Sequence, residues 1–334
     1  MAAYRNTRSM YGTYRVAQRD VEAVVQDRQW RTYPYTTPMI TSRPADHGSL
    51  YGPKLRSESW RRWRGCWCVS TVSCVTENRF APHAVPFVGV GVALVTLFDS
   101  ERRIDISGTV RHAANLVDLG MQAVLVAGST GEFAALTDGE RTALLAGIVE
   151  EIHGKAVVIA GVGASSTEDA CRLTEAAVAA GADGVLSAPG SDDLAQHYKK
   201  VKDVAGELPV LAYHWPARYP PGVDVRDLDF LPIVGCKDST GDPKRLLDAV
   251  TTSSRAIYTG SGSLMLMCSA VGGAGAIVAI ANAYPELSIA AFAGHGAAQR
   301  ELHLMQRSVQ ELPLPADVKR LTAERFGTSP AVRA

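Results

Sequence analysis

Residues 123–163 read AVLVAGSTGEFAALTDGERTALLAGIVEEIHGKAVVIAGVG. An apolar run over 123–129 ends in a pair of hydroxyls flanked by glycines, Gly128-Ser129-Thr130-Gly131. A segment of helical period follows over Thr137–Ile152, opened by Thr137 and Glu140 at the spacing of a capping box. A second apolar run fills 156–163. Strand, crossover helix and strand in one stretch make a βαβ unit. Both strands are apolar throughout rather than at alternate positions. That pattern requires burial on both faces, as in a parallel sheet covered by helices.

The same alternation continues on either side. Further strands are expected at 92–98, 183–189, 209–215, 233–239, 256–261 and 274–280. Helices are expected between them, including Thr167–Ala180, with Thr167 as N-cap, and Pro243–Val250. Eight such units fit a closed (β/α)8 TIM barrel better than an open doubly wound sheet. The chain after Asn282 supplies an eighth helix and one or two short ones. The expected organisation is an irregular extension over 1–85, a barrel over 86–300 and a short C-terminal helical segment over 301–334.

The extension differs in composition from the rest. It holds four of the five Trp and six of the eleven Tyr, with Arg clustered at Trp60–Arg64, and shows no periodicity that would bury a face. It reads as a disordered arm, as a segment that binds through Arg and Trp, or as an over-extended reading frame with translation starting near Val85 to Val90. The third is favoured because the next segment reads as the start of a complete domain. Cys66, Cys68 and Cys74 have no fourth ligand at zinc-site spacing.

Of the 334 residues, 46% are hydrophobic and 20% charged, and the formal net charge is zero. That balance suits a soluble globular protein and gives no footing for nucleic acid or an anionic membrane. Six scattered Cys suit reduced thiols and a cytoplasmic location. No secretory leader is read at the N-terminus. Residues 256–285 carry no charged side chain, but glycines at 260, 262, 272, 273 and 275 split the run into strand, helix and strand rather than a membrane span.

In a barrel of this kind the chemistry gathers at the C-terminal ends of the strands. Gly128-Ser129-Thr130-Gly131 is either an anion-binding turn or an ordinary glycine-rich loop. Tyr213, at the end of strand five, is either a proton relay or a core aromatic with a bonded hydroxyl. Lys237 sits near the end of an apolar strand. Burial there favours the neutral amine, a nucleophile toward carbonyls, and a buried ion pair is the competing reading. Gly260-Ser261-Gly262 and Gly272-Gly273-Ala274-Gly275 offer close approach of a ligand to the backbone. No dinucleotide fingerprint, phosphate-loop lysine motif or H-x-H and H-E-x-x-H metal pair is present in the barrel portion.

Four segments fall in the order and spacing of one family. AGSTGEFAALTDGER (127–141), YHWPAR (213–218), GCKDSTGD (235–242) and GGAGAIVAIAN (272–282) resemble the signatures of the dihydrodipicolinate synthase / N-acetylneuraminate lyase family of pyruvate-handling class I aldolases. The resemblance runs from about Phe87 to the end. It implies that Lys237 forms an imine with pyruvate and that Ser129 and Thr130, next to Gly128, bind the pyruvate carboxylate. Tyr213 would shuttle protons with Ser129. Arg218 would meet the carboxylate of a second substrate, and Ile277 would contribute backbone near the keto acid. The partners implied are pyruvate or another 2-keto acid plus an aldehyde, within a homo-oligomer (dimer or tetramer). No metal or organic cofactor is implied.

The sequence also departs from the family pattern. Pro189-Gly190-Ser191-Asp192 stands where the synthase carries Pro-Tyr-Tyr, one tyrosine of which completes a proton relay across a subunit contact. Ser129 leans toward the sialic-acid lyase and Lys237-Asp238 toward the synthase. His214-Trp215 should reshape the mouth of the pocket, and the tail is short. Three functions follow: a pyruvate-dependent synthase or aldolase, a lyase or dehydratase of a sugar-derived 2-keto acid, or a non-catalytic barrel that binds a keto acid.

Overall fold

The computed structural model describes residues 85–189, 193–308 and 315–333. Eight parallel strands close into a barrel in chain order: β1 (Gly89–Ala93), β2 (Ala123–Val126), β3 (Val157–Gly161), β4 (Gly184–Ser187), β5 (Val210–His214), β6 (Gly235–Asp238), β7 (Ala256–Thr259) and β8 (Gly275–Val278). Around them lie α1 (Ile106–Asp118), α2 (Asp138–Ile152), α3 (Thr167–Ala179), α4 (Leu194–Ala205), α5 (Pro243–Thr252), α6 (Met265–Ala270) and α7 (Pro285–Phe292). Two more follow, α8 (Gly296–Ser308) and α9 (Ala316–Phe326). The uncharged stretch 256–285 forms β7, α6 and β8 with short 3₁₀ turns, and no described helix is long and apolar enough to cross a membrane. The N-terminal arm with its Cys and Trp cluster, and the departure at 190–192, lie outside the described residues.

Strand alternation divides the core in two. Val90, Val92, Val124, Val126, Val210 and Ala212 point outward under the helices. Ala93, Leu125, Leu211, Tyr213, Tyr258 and Ile277 point inward and fill the barrel. Continuous apolarity thus feeds two cores at once, each side chain contributing roughly 2 kcal/mol of burial. The helices start where their sequence says they should. Thr137 accepts from the Glu140 N–H and Glu140 reaches back to the Thr137 N–H, so the expected capping box forms. At α3 the cap is Ser166, one residue earlier than expected, with Thr167 as the first helical residue.

The first strand also differs from its expected 92–98. It runs Gly89–Ala93, the Leu94 N–H makes the last bond to β2 at the Leu125 carbonyl, and the apolar residues Val95, Leu97 and Phe98 are buried beyond the barrel ladder. Side chains take over their backbone groups. Asn282 accepts from the Val95 N–H at 3.1 Å and donates to the Ala93 carbonyl at 2.8 Å. Thr109 Oγ1 accepts from the Leu97 N–H at 2.9 Å. A buried backbone group needs a partner but not a strand partner, so apolarity alone overextends the strand. Gly272–Gly275 shows the opposite error: it leads into β8 and supplies its first residue, at the end of the barrel away from the β-strand C-termini, and cannot line the mouth. A Cβ at Gly275 would lie 2.4 Å from the Gly89 carbonyl, so this glycine serves strand contact.

The C-terminal segment returns to the barrel. Lys319, on α9, is fully buried and pairs with Glu132, while its ammonium also donates to the Ala331 carbonyl at 2.7 Å. The Arg333 N–H donates to Glu132 at 2.8 Å, and its guanidinium bonds both oxygens of Glu140. The tail is thereby fastened to the segment that follows β2.

Candidate active site

The inward parity that places Tyr213 and Tyr258 inside the barrel places Lys237 there too. The register sets Lys237 beside Tyr213 on β5 and beside Tyr258 on β7. Lys237 is 5% exposed, and its ammonium nitrogen lies 4.8 Å from the centroid of the Tyr213 ring. Its neighbour Asp238 has the opposite parity. That carboxylate is held by Arg245 Nε at 2.7 Å and by the Thr240 N–H and hydroxyl at 2.8 and 2.6 Å. Lys237 therefore has no carboxylate counterion among the described residues. Burial, unopposed, brings its pKa down to about 7. The ion-pair reading does not apply, and burial favours the neutral amine.

Tyr213 is also buried, and burial pushes its phenol up to about 12, while the Ser239 and Ser129 hydroxyls pull the other way. Ser129 leads the turn after β2. Its hydroxyl lies 2.7 Å from the phenol oxygen of Tyr219. Two non-glycine residues in the left-handed region, Ala127 at φ 52° and Glu132 at φ 55°, bracket this turn. Such a backbone persists only where its surroundings hold it. Here the Thr96 hydroxyl donates to the Gly131 carbonyl at 2.8 Å, and Lys319 and the Arg333 N–H hold Glu132. Neither the Ser129 nor the Thr130 backbone N–H donates to an acceptor among the described residues, which leaves two donors side by side for an anion.

One pocket gathers Gly128, Ser129, Tyr213, Tyr219 and Lys237, backed by Phe133. Four of the seven residues expected from the sequence thus share it. Thr130 is buried immediately beyond. Ile277 is buried in the inner barrel core with Tyr213. Arg218 is exposed at the rim, its guanidinium carbon 5.7 Å from the Trp215 ring and 5.9 Å from the Tyr219 ring. His214 does not face the pocket. Its parity is outward, and its Nδ1 accepts from the Val223 N–H at 2.8 Å, so only Trp215 of that pair shapes the mouth. Tyr219 and Ser239 were not singled out from the sequence. Each stands one or two residues beyond a motif residue that was, Arg218 and Lys237, and no periodicity marks either. Gly260 is open for the sake of Ser239: a Cβ there would lie 2.0 Å from the Ser239 hydroxyl.

Comparison with known proteins finds relatives over the barrel portion of the chain. An uncharacterized DapA-like lyase of Halobacterium salinarum is 34% identical over 224 residues, covering 64% of this chain and 73% of that protein. The 4-hydroxy-tetrahydrodipicolinate synthase 2 of Streptomyces coelicolor is 35% identical over 213 residues, covering 60% and 71%. Among solved structures, dihydrodipicolinate synthase of Aquifex aeolicus matches with a TM-score of 0.63 at 31% identity, over 70% of this chain and 86% of that one. Dihydrodipicolinate synthase DapA-2 of Bacillus anthracis matches at 0.64 and 30%, over 74% and 92%. The protein is a (β/α)8-barrel lyase. The profile of the Dihydrodipicolinate synthetase family matches residues 86–322, and the chain belongs to that family.

Proposed function

We propose that this lyase forms a Schiff base between Lys237 and pyruvate, or a close 2-keto acid, and joins the resulting enamine to an aldehyde or runs the reverse cleavage. The observation that carries the reading is a buried, inward-facing lysine with no carboxylate partner among the described residues, in one pocket with Ser129 and Tyr213. A neutral amine adds to the keto carbon. The carbonyl oxygen then leaves as water and an iminium remains. Loss of a proton from the adjacent carbon gives the enamine, whose carbon attacks the aldehyde. The Ser129 and Thr130 N–H groups suit the keto-acid carboxylate, and Tyr213 suits the proton transfers. Gly128 lets the turn approach the substrate, Ile277 bounds the keto-acid subsite, and Arg218 suits an anionic group on the second substrate. The small molecules are the partners of this site, and a homo-oligomer is the proposed assembly.

A second reading, cleavage or dehydration of a sugar-derived 2-keto acid, draws on the absence of tyrosine from Pro189-Gly190-Ser191-Asp192. Incubation with pyruvate followed by borohydride reduction and peptide mass measurement tests the common step. A pyruvate-derived adduct on Lys237 is the expected result, and a folded protein that gives none would sink pyruvate as the substrate. Turnover with a panel of aldehydes and sugar-derived keto acids then separates the two readings. Adduct formation without turnover of any of them would favour a binding protein.

A further inference from the structure

We infer that Tyr219 is the outer member of a three-hydroxyl proton relay, Tyr213–Ser129–Tyr219, that one chain builds without help from a partner. The inference rests on the Schiff-base reading above. Tyr213 lies beside Lys237 but is 6% exposed, so a proton that it gives or takes needs a path to water. Ser129 supplies the next hydroxyl, and Tyr219, half-buried, supplies the one after, 2.7 Å away.

Tyr219 is held for this task. Its N–H donates to the Trp215 carbonyl at 2.8 Å, and its own carbonyl accepts from the Gly222 N–H at 3.0 Å. Its ring lies 5.5 Å from Tyr213, 6.2 Å from Phe133 and 6.3 Å from Trp215, measured between centroids. Aromatic neighbours on three sides fix the ring, and only its hydroxyl reaches a polar side chain of the pocket. Residues 189–192 offer no tyrosine that could stand in for it.

The proton balance gives the relay its direction. A neutral Lys237 amine and a ketone become an iminium and water by taking up one proton, which goes to the departing oxygen. That proton enters at Tyr219, passes through Ser129 and leaves Tyr213. Enamine formation releases one proton from the carbon next to the iminium, and the same chain returns it outward. Tyr219 acts through Ser129 and does not touch the reacting carbon.

Tyr219→Phe keeps the ring and removes the hydroxyl. The time course of borohydride-trapped adduct and the deuterium uptake at the keto-acid methyl, in D2O, read the two proton steps. Both rates are expected to fall about tenfold or more, with the final adduct level and the melting temperature unchanged. Rates within about twofold of the native protein would overturn the relay and leave the Schiff base standing. No adduct in the native protein would overturn both. If Tyr219→Phe fails to fold, a fluorinated tyrosine at 219 keeps the ring and the bond to Ser129. The basic limb of the rate–pH profile should then move to lower pH, and an unmoved limb would overturn the relay.

Discussion

Lys237 and Lys319 are both buried lysines, yet they stand in opposite electrostatic settings. Lys319 is enclosed by the Glu132 carboxylate, the Ala331 carbonyl and the face of Phe98, whose centroid is 4.2 Å from its ammonium. Burial lowers its pKa, but Glu132 pushes the other way. Lys237 has an aromatic face on one side and no carboxylate among the described residues, and burial acts on it alone. A buried charge is held either by being matched or by being given up. The matched lysine holds the tail in place; the unmatched one is free to become an amine. The two are linked, because Glu132 ends the turn that carries Ser129 and Thr130.

The largest contrast is in activity. Lys237→Met should abolish turnover and borohydride trapping while the melting temperature stays level or rises, since no counterion is orphaned. A clear loss of stability would break the contrast. Lys319→Met should do the reverse to the fold, costing about 3–5 kcal/mol in denaturant unfolding by stranding Glu132 in the interior. Glu132→Gln in the same chain should recover part of that loss, and failure to recover any would show that the pair is not the source.

Dependence on pH sharpens the comparison further. The folded pKa of Lys237, about 7, lies below the ordinary lysine value of 10.5, so between these values the unfolded chain binds more protons than the folded one. Stability therefore rises with pH across that window and falls as pH drops toward 7. The whole span is worth on the order of 5 kcal/mol. Lys237→Met should flatten this slope when melting is followed from pH 7 to pH 10, whereas an unchanged slope would remove Lys237 as its source. The rate of adduct formation should climb through about pH 7 as the amine loses its proton. The smallest effect belongs to the anchor of the tail: Thr137→Ala removes the hydroxyl that caps the Glu140 N–H and donates to the Glu140 carboxylate, which pairs with Arg333, and should cost about 1 kcal/mol. Its keto-acid KM should rise only modestly.

The barrel was legible because each βαβ unit repeats one pattern and because strand parity is fixed. Once Lys237 and Tyr213 were assigned to neighbouring strands, the barrel required them to meet. The Ser129-Thr130 turn was legible from its glycines. Lys319 was not, because a lysine on an amphipathic helix reads as solvent-facing until the tail that covers it is placed. Tyr219 was hidden by lying in a loop, where neither period 2 nor period 3.6 applies. The end of β1 was overrun because Asn282, 187 and 189 residues away from the groups it bonds, replaces the sheet there. Its reach across the sequence carries no local trace.

That same reach sets an order of assembly. The ribosome delivers β1 first, but the Val95 N–H and the Ala93 carbonyl find their partner only when Asn282 has been made. β1 likewise waits for β8, with which it pairs from Gly89 to Val92. Most of the barrel must emerge before its opening strand can finish folding, so the seam closes late. Until then, the growing sheet is open at two edges, β1 and the strand most recently added, and a chaperone or a second nascent chain would meet it there.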